Sequence, residues 1–568
     1  MSTFDKIEIG RRALFAAQSG QRSTGQNVAN VNTEGYKRQS IVQSSSAAEY
    51  DGRTNGVGVD GVKQAQDEFL ERKILSSNSE LRNSTTKAEI LRNLEIIYND
   101  RNGQGISNAM AELWGAWSEL ATSPESGPFR MNLAEKAINL TEKFNRFHSE
   151  TSDFKKELVK GLTAEIHDVN NWANEIAGLN KKVANIEARG GNANELKDQR
   201  DRLAGNISDK VDIQRSYNKN GRLHIEFGGG HTLVDGDEAY QLDLNYNANS
   251  NEKVAIILKL QKTTNMDITQ FIKQGETSEK VKMVNEYIPS VINKFDDLAN
   301  SVKDEVNSLY VTGTPLDEAF KNLVSASNFK PEYVNDEIDG LKLGQLTLNI
   351  VDEDGDSSGQ ISVEIKPDDT AQSIAFKINE AANINNTNSN LEDVPLTAAV
   401  IGQKFEINSR SNYGFYIAED TSSAMSKLGI NAFFTGNNGV KDLQVNQQLL
   451  DSPEKIAAGV KMLPGNNDVA LQISELRYAT PLNNGSESFS EFYDRAITDM
   501  ALDLQSSKKS SEVQQETLDQ YKVMRQEVSG VSLDEEMANM IKYQRAYEAS
   551  AKFSGIADEM LNTTINFR

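Results

Sequence analysis

The side chains that most often carry catalysis or bind metals are scarce in this sequence. It holds no cysteine, which excludes disulfides, thiolate metal sites and cysteine nucleophiles. His148 and His167 lie in a helical pattern and His224 and His231 in a strand pattern, and none belongs to an H-E-x-x-H sequence. Neither a Walker A sequence nor a G-x-S-x-G elbow occurs. We therefore predict that the chain is not an enzyme and has no catalytic, cofactor-binding or metal site.

Two glycine-rich stretches could in principle hold phosphate groups. Residues 56–61 match G-x-G-x-x-G, but a polar segment precedes them where a dinucleotide site needs an apolar strand. Val57 and Val59 alternate with small residues there, which favours a short strand. Gly228–Gly230 lack the following Lys and Ser/Thr of a phosphate loop, so a hairpin turn is the better interpretation.

Asp352, Asp354 and Asp356 are spaced like the first ligands of a calcium-binding loop. The sixth position is Ser357 where that loop needs glycine, and the twelfth is Val363 where it needs glutamate. The pattern favours a hairpin tip.

Composition excludes further classes of function. The formal net charge is -23, whereas binding to nucleic acid needs a basic surface. The N-terminus has no cleavable signal sequence, and no run of eighteen apolar residues could span a membrane. These features alone predict a cytoplasmic protein, unless the chain is exported by a route that ignores such signals.

Long helices dominate the predicted structure. Apolar residues from Leu133 to Ile186 recur at alternating spacings of four and three, which predicts a helix of roughly 55 residues. Period-two alternation at 211–262 and from 341 to about 440 predicts β-structure in two places. Two more helices are expected near 487–528 and 532–566.

The two ends of the chain are both predicted to be helical. Residues 1 to about 30 carry small side chains at heptad spacing, which allows close approach of a partner helix. The C-terminal helix begins with a capping box, Ser532 and Glu535. The residues that we assign to its assembly seam are Leu533, Met537, Met540, Tyr547, Ala551, Leu561 and Ile565.

A motif follows the first helix and carries a family resemblance. The sequence ANVNTEGYKR resembles the N-terminal motif of the bacterial flagellar axial proteins, which are rod, hook and hook-associated proteins. The stretch SLDEEMANMIKYQRAYEASAKFSGIADEML is similar to the closing helix of the hook-associated members. The resemblance implies an assembly motif formed by Asn27, Asn30, Asn32, Thr33, Gly35 and Tyr36.

The residues and the resemblance together predict a multi-domain fold that is mainly α with β-rich insertions. We expect a discontinuous terminal coiled-coil domain (1–62 with 529–568) and a long helical rod domain (63–340 with 441–528, including a β-hairpin region at 211–262). We also expect an inserted β-rich outer domain at 341–440.

The resemblance implies a structural subunit of the flagellum, needed for motility, that joins the hook to the filament and assembles through its terminal helices. The expected partners are further copies of the chain in a tubular assembly, the hook protein, the next hook-associated protein and a flagellar export chaperone. Neither nucleic acid nor membrane is expected as a partner, and no cofactor is expected. The implied location is the secreted flagellum, reached by type III export without a cleaved signal peptide.

Two alternatives remain open at this stage. The chain could be another axial protein of the hook or distal rod type, although the 55-residue helix argues against both. It could also be an axial scaffold whose 341–440 insertion is a binding or enzymatic domain.

Overall fold

A computed structural model defines the architecture. It describes residues 3–33, 35–47, 54–98, 105–218, 221–246, 253–260, 264–316, 318–326, 328–352, 355–384, 395–410 and 412–566. The helices are α1 (Thr3–Ala29), α2 (Glu68–Tyr98), α3 (Ile106–Thr122), α4 (Gly127–Glu187), α5 (Asn194–Lys210), α6 (Glu276–Lys282), α7 (Ile288–Tyr310), α8 (Ala371–Ile384), α9 (Ala424–Lys427), α10 (Gln447–Asp451), α11 (Asp468–Glu475), α12 (Phe489–Ser529) and α13 (Leu533–Asn566).

The strands are short and all pair in an antiparallel manner. They are β1 (Gln39–Ala47), β2 (Thr54–Gln64), β3 (Gln214–Tyr217), β4 (Leu223–Phe227), β5 (His231–Asp235), β6 (Glu238–Ala239), β7 (Gln241–Asn245), β8 (Ala255–Leu260), β9 (Thr264–Asp267), β10 (Asn322–Val324), β11 (Gly344–Val351), β12 (Ser357–Ile365), β13 (Leu396–Ile401), β14 (Lys404–Ser409), β15 (Gly414–Asp420), β16 (Phe434–Thr435) and β17 (Gln444–Val445).

The longest element is α4, a single helix of 61 residues. At 1.5 Å per residue it is about 90 Å long, so the prediction of one very long helix is confirmed. Gly190, with φ of +77°, ends the helical turn in a left-handed conformation. The Gly191 N–H then donates to the Ile186 carbonyl at 3.0 Å. The chain turns there into α5, as the sequence predicted.

The chain forms two compact units, each built from several segments. The first comprises Met1–Ile90, Glu157–Asn285 and Leu504–Arg568, and the second comprises Leu91–Lys156 and Glu286–Asp503.

In the first unit, the predicted β-structure near 211–262 is a sheet of order β3-β4-β5-β6 and a sheet of order β7-β8-β9. Leu223, Ile225 and Phe227 of β4 point alternately into the core and are buried. Gly228–Gly230 form the turn between β4 and β5, which confirms the predicted hairpin. Residues 56–61 lie inside β2, which pairs with β1, so the G-x-G-x-x-G match is part of a strand.

Helices α2 and α12 pack together within the first unit. Ile74 and Leu81 of α2 form an apolar cluster with Leu518 of α12. One turn further along, the contact becomes polar, because Ser84 and Ser510 share a hydrogen bond of 3.2 Å between their hydroxyls.

The second unit contains the predicted inserted β-region. Two three-stranded sheets, of order β12-β11-β15 and β10-β14-β13, enclose a core together with α8. Buried residues of this core include Leu346, Leu348, Ile361, Ile374, Ile378, Phe405, Ile407 and Phe415.

A tight turn connects β11 and β12. The Asp356 N–H donates to the Asp352 carboxylate at 2.9 Å, which confirms a hairpin tip at this position. Asp354, which belongs to the same sequence pattern, lies outside the described residues.

The predicted fold class is confirmed: the chain is mainly α, with β-rich insertions and a coiled coil formed by its first and last helices. The domain limits given above remain a prediction.

Candidate assembly interface

Helices α1 and α13 form an antiparallel pair. The Lys6 ammonium reaches the Met560 sulfur at 3.8 Å, Gly10 lies against the Ser554 side chain, and Gly20 lies against the Tyr543 ring. Residue numbers rise along α1 while they fall along α13. The two helices approach closely because glycine offers no side chain at the points of contact.

The face of α13 that contacts α1 is narrow. Ala557 and Glu536 are 2% and 3% exposed, and they are the fully buried residues among the described residues of this helix. Half-buried residues continue the same face at spacings of three, four and seven: Met540, Tyr543, Ser550, Ser554 and Leu561. Small and polar side chains thus form much of the contact.

The predicted seam of α13 only partly coincides with this face. Met540 and Leu561 are half-buried, and Ala551 is exposed. The other four members are exposed by 40% to 61%: Leu533 46%, Met537 59%, Tyr547 41% and Ile565 61%. The role of the seam in assembly remains a prediction, and most of its apolar surface is free in the single chain.

Asn27 is the central hydrogen-bonding residue of the predicted assembly motif. Its side chain is 1% exposed. The amide nitrogen donates to the Gln39 carbonyl, and the amide oxygen accepts from the Gln39 N–H, both at 2.9 Å. The Tyr36 hydroxyl also donates to that oxygen, at 2.8 Å. Burial raises the pKa of Tyr36 to about 12, so its hydroxyl keeps the proton that it donates.

The rest of the motif forms the turn that leads from α1 to β1. The Asn30 side chain donates to the Gln26 carbonyl at 2.9 Å and accepts from the Thr33 hydroxyl at 3.1 Å. Gly35 has φ of +78°, a conformation that favours glycine. Asn32 is exposed. The structure therefore brings five of the six motif residues together at this turn, of which Thr33 is exposed, and leaves Asn32 exposed outside these contacts.

The start of α13 is held by the N-terminal segment. The Glu535 N–H donates to the Ser532 hydroxyl at 3.5 Å, which is one half of the predicted capping box. The Glu535 carboxylate instead accepts a hydrogen bond of 2.8 Å from Arg38. The second half of the box is thus replaced by a contact between the two ends of the chain.

The β1–β2 hairpin contacts α5 through a buried carboxylate that sequence reasoning missed. The Gln64 amide donates to both oxygens of Asp198, at 3.0 and 3.1 Å. Burial raises the pKa of Asp198 to about 6, although the nearby Lys37 ammonium and the Gln64 hydrogen bonds act in the opposite direction. A charged residue on an amphipathic helix normally indicates a solvated face, so no local signal revealed this position.

Nothing in the described parts of the chain suggests a metal or substrate site. Within them, no group of three or more histidine and carboxylate side chains is arranged to hold a metal ion. Within the same residues, no helix combines the length and apolarity needed to cross a membrane. The interface between α1 and α13 is therefore the candidate functional site.

Comparison with known proteins finds similarity to flagellar proteins. The model of the flagellar hook-associated protein FlgK helical domain matches residues 91–323, and that of the flagellar basal body rod FlgEFG protein C-terminal region matches residues 525–567. Flagellar hook-associated protein 1 of Bacillus subtilis is 25% identical over 100% of this chain and 98% of its own length. The protein of the same name from Salmonella typhimurium is 23% identical over 99% of both chains.

The chain is therefore similar over its whole length to flagellar hook-associated protein 1. Its fold is also similar to that of the flagellar hook junction protein FlgK from Burkholderia pseudomallei, with a TM-score of 0.51 and 13% identity. That similarity covers 81% of this chain and 100% of the solved one.

This similarity confirms the prediction of a structural, hook-associated flagellar protein. The protein is a component of the bacterial flagellum, where it assembles with the hook and other axial proteins. The alternatives of a hook or distal rod protein, and of a scaffold for an enzymatic insertion, are not favoured.

Proposed function

We propose that this chain is the subunit that joins the flagellar hook to the filament and that it assembles with further copies of itself through α1 and α13. The observation that carries the proposal is the apolar surface of α13 that remains exposed outside the narrow face buried against α1.

This surface consists of large side chains. Met537, Ile541, Ile556 and Met560 are each 47% to 59% exposed. Phe15 of α1, which is 60% exposed, adds to the exposed apolar surface of the helix pair. Because contiguous exposed apolar surface is unfavourable on a soluble monomer, it typically marks an interface with another protein. Neighbouring subunits in a tubular assembly would cover it.

We propose that the remaining partners bind the subunit as follows. In the assembled flagellum the subunit contacts the hook protein on one side and the next hook-associated protein on the other. Before export, a flagellar chaperone covers α13 and prevents premature association. The subunit leaves the cell by the flagellar type III route without a cleaved signal peptide. The proposed domains are 1–62 with 529–568 for assembly, 63–340 with 441–528 for the helical body, and 341–440 for the outer insertion.

A substitution on the exposed surface of α13 tests the proposal. We expect Met537→Asp to leave the fold of the monomer intact, because this side chain faces solvent, and to abolish incorporation into the flagellum. Gln544→Asp introduces the same charge at an exposed polar position of the same helix and should incorporate normally. Electron microscopy of a strain that lacks the wild-type gene should show hooks without filaments for the first variant only. Normal filaments on Met537→Asp cells would contradict the proposed surface.

A second measurement addresses ordering on assembly. Amide protons of residues 3–30 and 535–566 should exchange faster in the monomer than in the assembled structure, because neighbouring subunits bury the apolar surface only in the latter. Equal protection in both states would count against assembly through these helices.

A further inference from the structure

Residues 36–39 form a short stretch that we call the junction segment. It contacts α1, α2, α5 and the end of α12, all in the first unit. Tyr36 and Gln39 bind Asn27 of α1, as described above. The Arg38 N–H donates to the Ser529 carbonyl at the end of α12 at 2.9 Å. The remaining residue, Lys37, points into the space between α2 and α5.

The Lys37 ammonium is buried and surrounded by acceptors. The residue is 5% exposed. Its nitrogen forms an ion pair with Asp201 of α5, lies 3.2 Å from the Gln66 amide oxygen and is 4.0 Å from the Glu71 carboxylate of α2. A lysine is almost never buried unless it is paired, so this contact set accounts for its position.

The pocket that receives Lys37 is rich in negative charge. Arg215 of β3 is a second cation in this pocket. Its guanidinium lies 3.4 Å from Asp201, 3.4 Å from Glu68 and 3.9 Å from Glu71. Burial would raise the pKa of Asp201, but the charges of Lys37 and Arg215 outweigh burial and hold that pKa below its ordinary value. Without Lys37, the carboxylates of Asp201, Glu68 and Glu71 would keep Arg215 as their ion-pair partner, and the charge of Arg200 would also act on Asp201.

We propose that Lys37 is a positioning residue that couples the order of the terminal helix pair to the helical body formed by α2 and α5. When its ammonium is in the acidic pocket, the junction segment is fixed, so the end of α1, the start of β1 and the start of α13 are held together. When the ammonium leaves, the pocket carries excess negative charge and the terminal elements lose one of their attachments to the body, while the contacts of Gln64 with Asp198 and of Arg38 with Ser529 remain. Because every group involved belongs to one chain, this coupling does not depend on where the subunit sits in the flagellum.

Hydrogen exchange on the full-length monomer tests this coupling. In Lys37→Met we expect protection factors of α1, the β1–β2 hairpin and α13 to fall at least tenfold, while those of β4 and β8 stay within twofold. Lys63→Met removes the same charge from an exposed position of β2 and should leave all of them unchanged. Unchanged protection of α1 and α13 in Lys37→Met would overturn the proposal. An equal loss in β4 and β8 would also overturn it, since Lys37 would then act on stability in general.

A pH series separates the role of charge from that of packing. If the excess negative charge of the pocket causes the loss, protonation of its carboxylates should restore part of the protection in Lys37→Met as the pH falls from 7 to 5. This gain should exceed the change in the wild-type chain over the same range, where the neighbouring Asp198 titrates with a pKa of about 6. A second variant, Lys37→Met with Asp201→Asn, should likewise recover part of the protection at pH 7, because it removes both members of the ion pair. A coupling based on charge would be contradicted if the loss of protection in Lys37→Met did not vary with pH and if the second variant did not reduce that loss.

Discussion

Gly20 of α1 lies directly against the aromatic ring of Tyr543 of α13: a Cβ atom on this glycine would be 2.5 Å from two ring carbons. A glycine inside a helix costs about 1 kcal/mol relative to alanine. The cost is offset here because only glycine lets the tyrosine ring lie on the helix backbone.

The first prediction compares two glycines of α1. Gly20→Ala should weaken the α1–α13 pair, because the steric overlap costs roughly 1–3 kcal/mol and exceeds the gain in helix propensity. Gly25→Ala is the control, since a Cβ atom there meets nothing within 4 Å, and it should stabilise α1 slightly. Hydrogen exchange of residues 533–566 should accelerate in the first variant and slow or stay constant in the second. The reverse order would show that the glycine contact is unimportant.

The second prediction concerns the motif. Asn27→Ala leaves the Gln39 N–H and the Tyr36 hydroxyl without the acceptor that they share, and each such loss costs about 1–3 kcal/mol. The Gln39 carbonyl keeps a hydrogen bond of 3.2 Å from the Ser23 hydroxyl. We expect the free energy of unfolding of the terminal elements to fall by about 2–3 kcal/mol, measured by urea titration with probes in α1. Asn32→Ala, at the exposed position of the same motif, should change it by less than about 0.5 kcal/mol. Similar values for both variants would mean that Asn27 does not organise the turn.

The third prediction uses the pKa of Asp198, which is about 6 in the folded chain and about 3.9 in an unfolded one. Because the folded state binds the proton more tightly, the ionised carboxylate lowers stability above pH 6, and this penalty shrinks as the pH falls towards 4. Asp198→Asn should therefore raise the free energy of unfolding by about 2 kcal/mol at pH 7.5 and by much less at pH 4.

The control for this prediction is Asp60→Asn on the exposed surface of β2, which should have an effect within about 0.5 kcal/mol at both pH values. An Asp198→Asn effect that does not vary with pH would contradict an origin in the buried charge.

The helical framework could be predicted from the sequence because its signals are local. The spacing of apolar residues gave α4 as one long helix, and Gly190 with Gly191 marked its end. Alternation gave the strands of both units, and glycine content gave the turn between β4 and β5. Each of these signals lies within a few residues of the structure that it predicts.

The pairing face of α13 could not be derived in the same way. This helix carries apolar side chains around much of its circumference, so Met537 and Ile541 were as plausible for contact with α1 as Tyr543. The face of α13 that contacts α1 is determined by Gly10 and Gly20 of α1, which create the space that Ser554 and Tyr543 fill. Lys37 was missed for a related reason, because Asp201 is 164 positions away and nothing near either residue indicates the other.

The contact between Arg38 and the start of α13 has a consequence for folding kinetics. The two residues of the Arg38–Glu535 pair are 497 positions apart, and closing a loop of that length costs about 5 kcal/mol of chain entropy. Once the helical body has formed, the hydrogen bond from Arg38 to Ser529 brings the bases of α1 and α13 together, so most of that loop is already closed. Pairing of the two helices then resembles the closing of a short hairpin, which is among the faster steps of folding. The pairing of α1 with α13, which are far apart in the sequence, can thus be one of the last steps of folding without being slow.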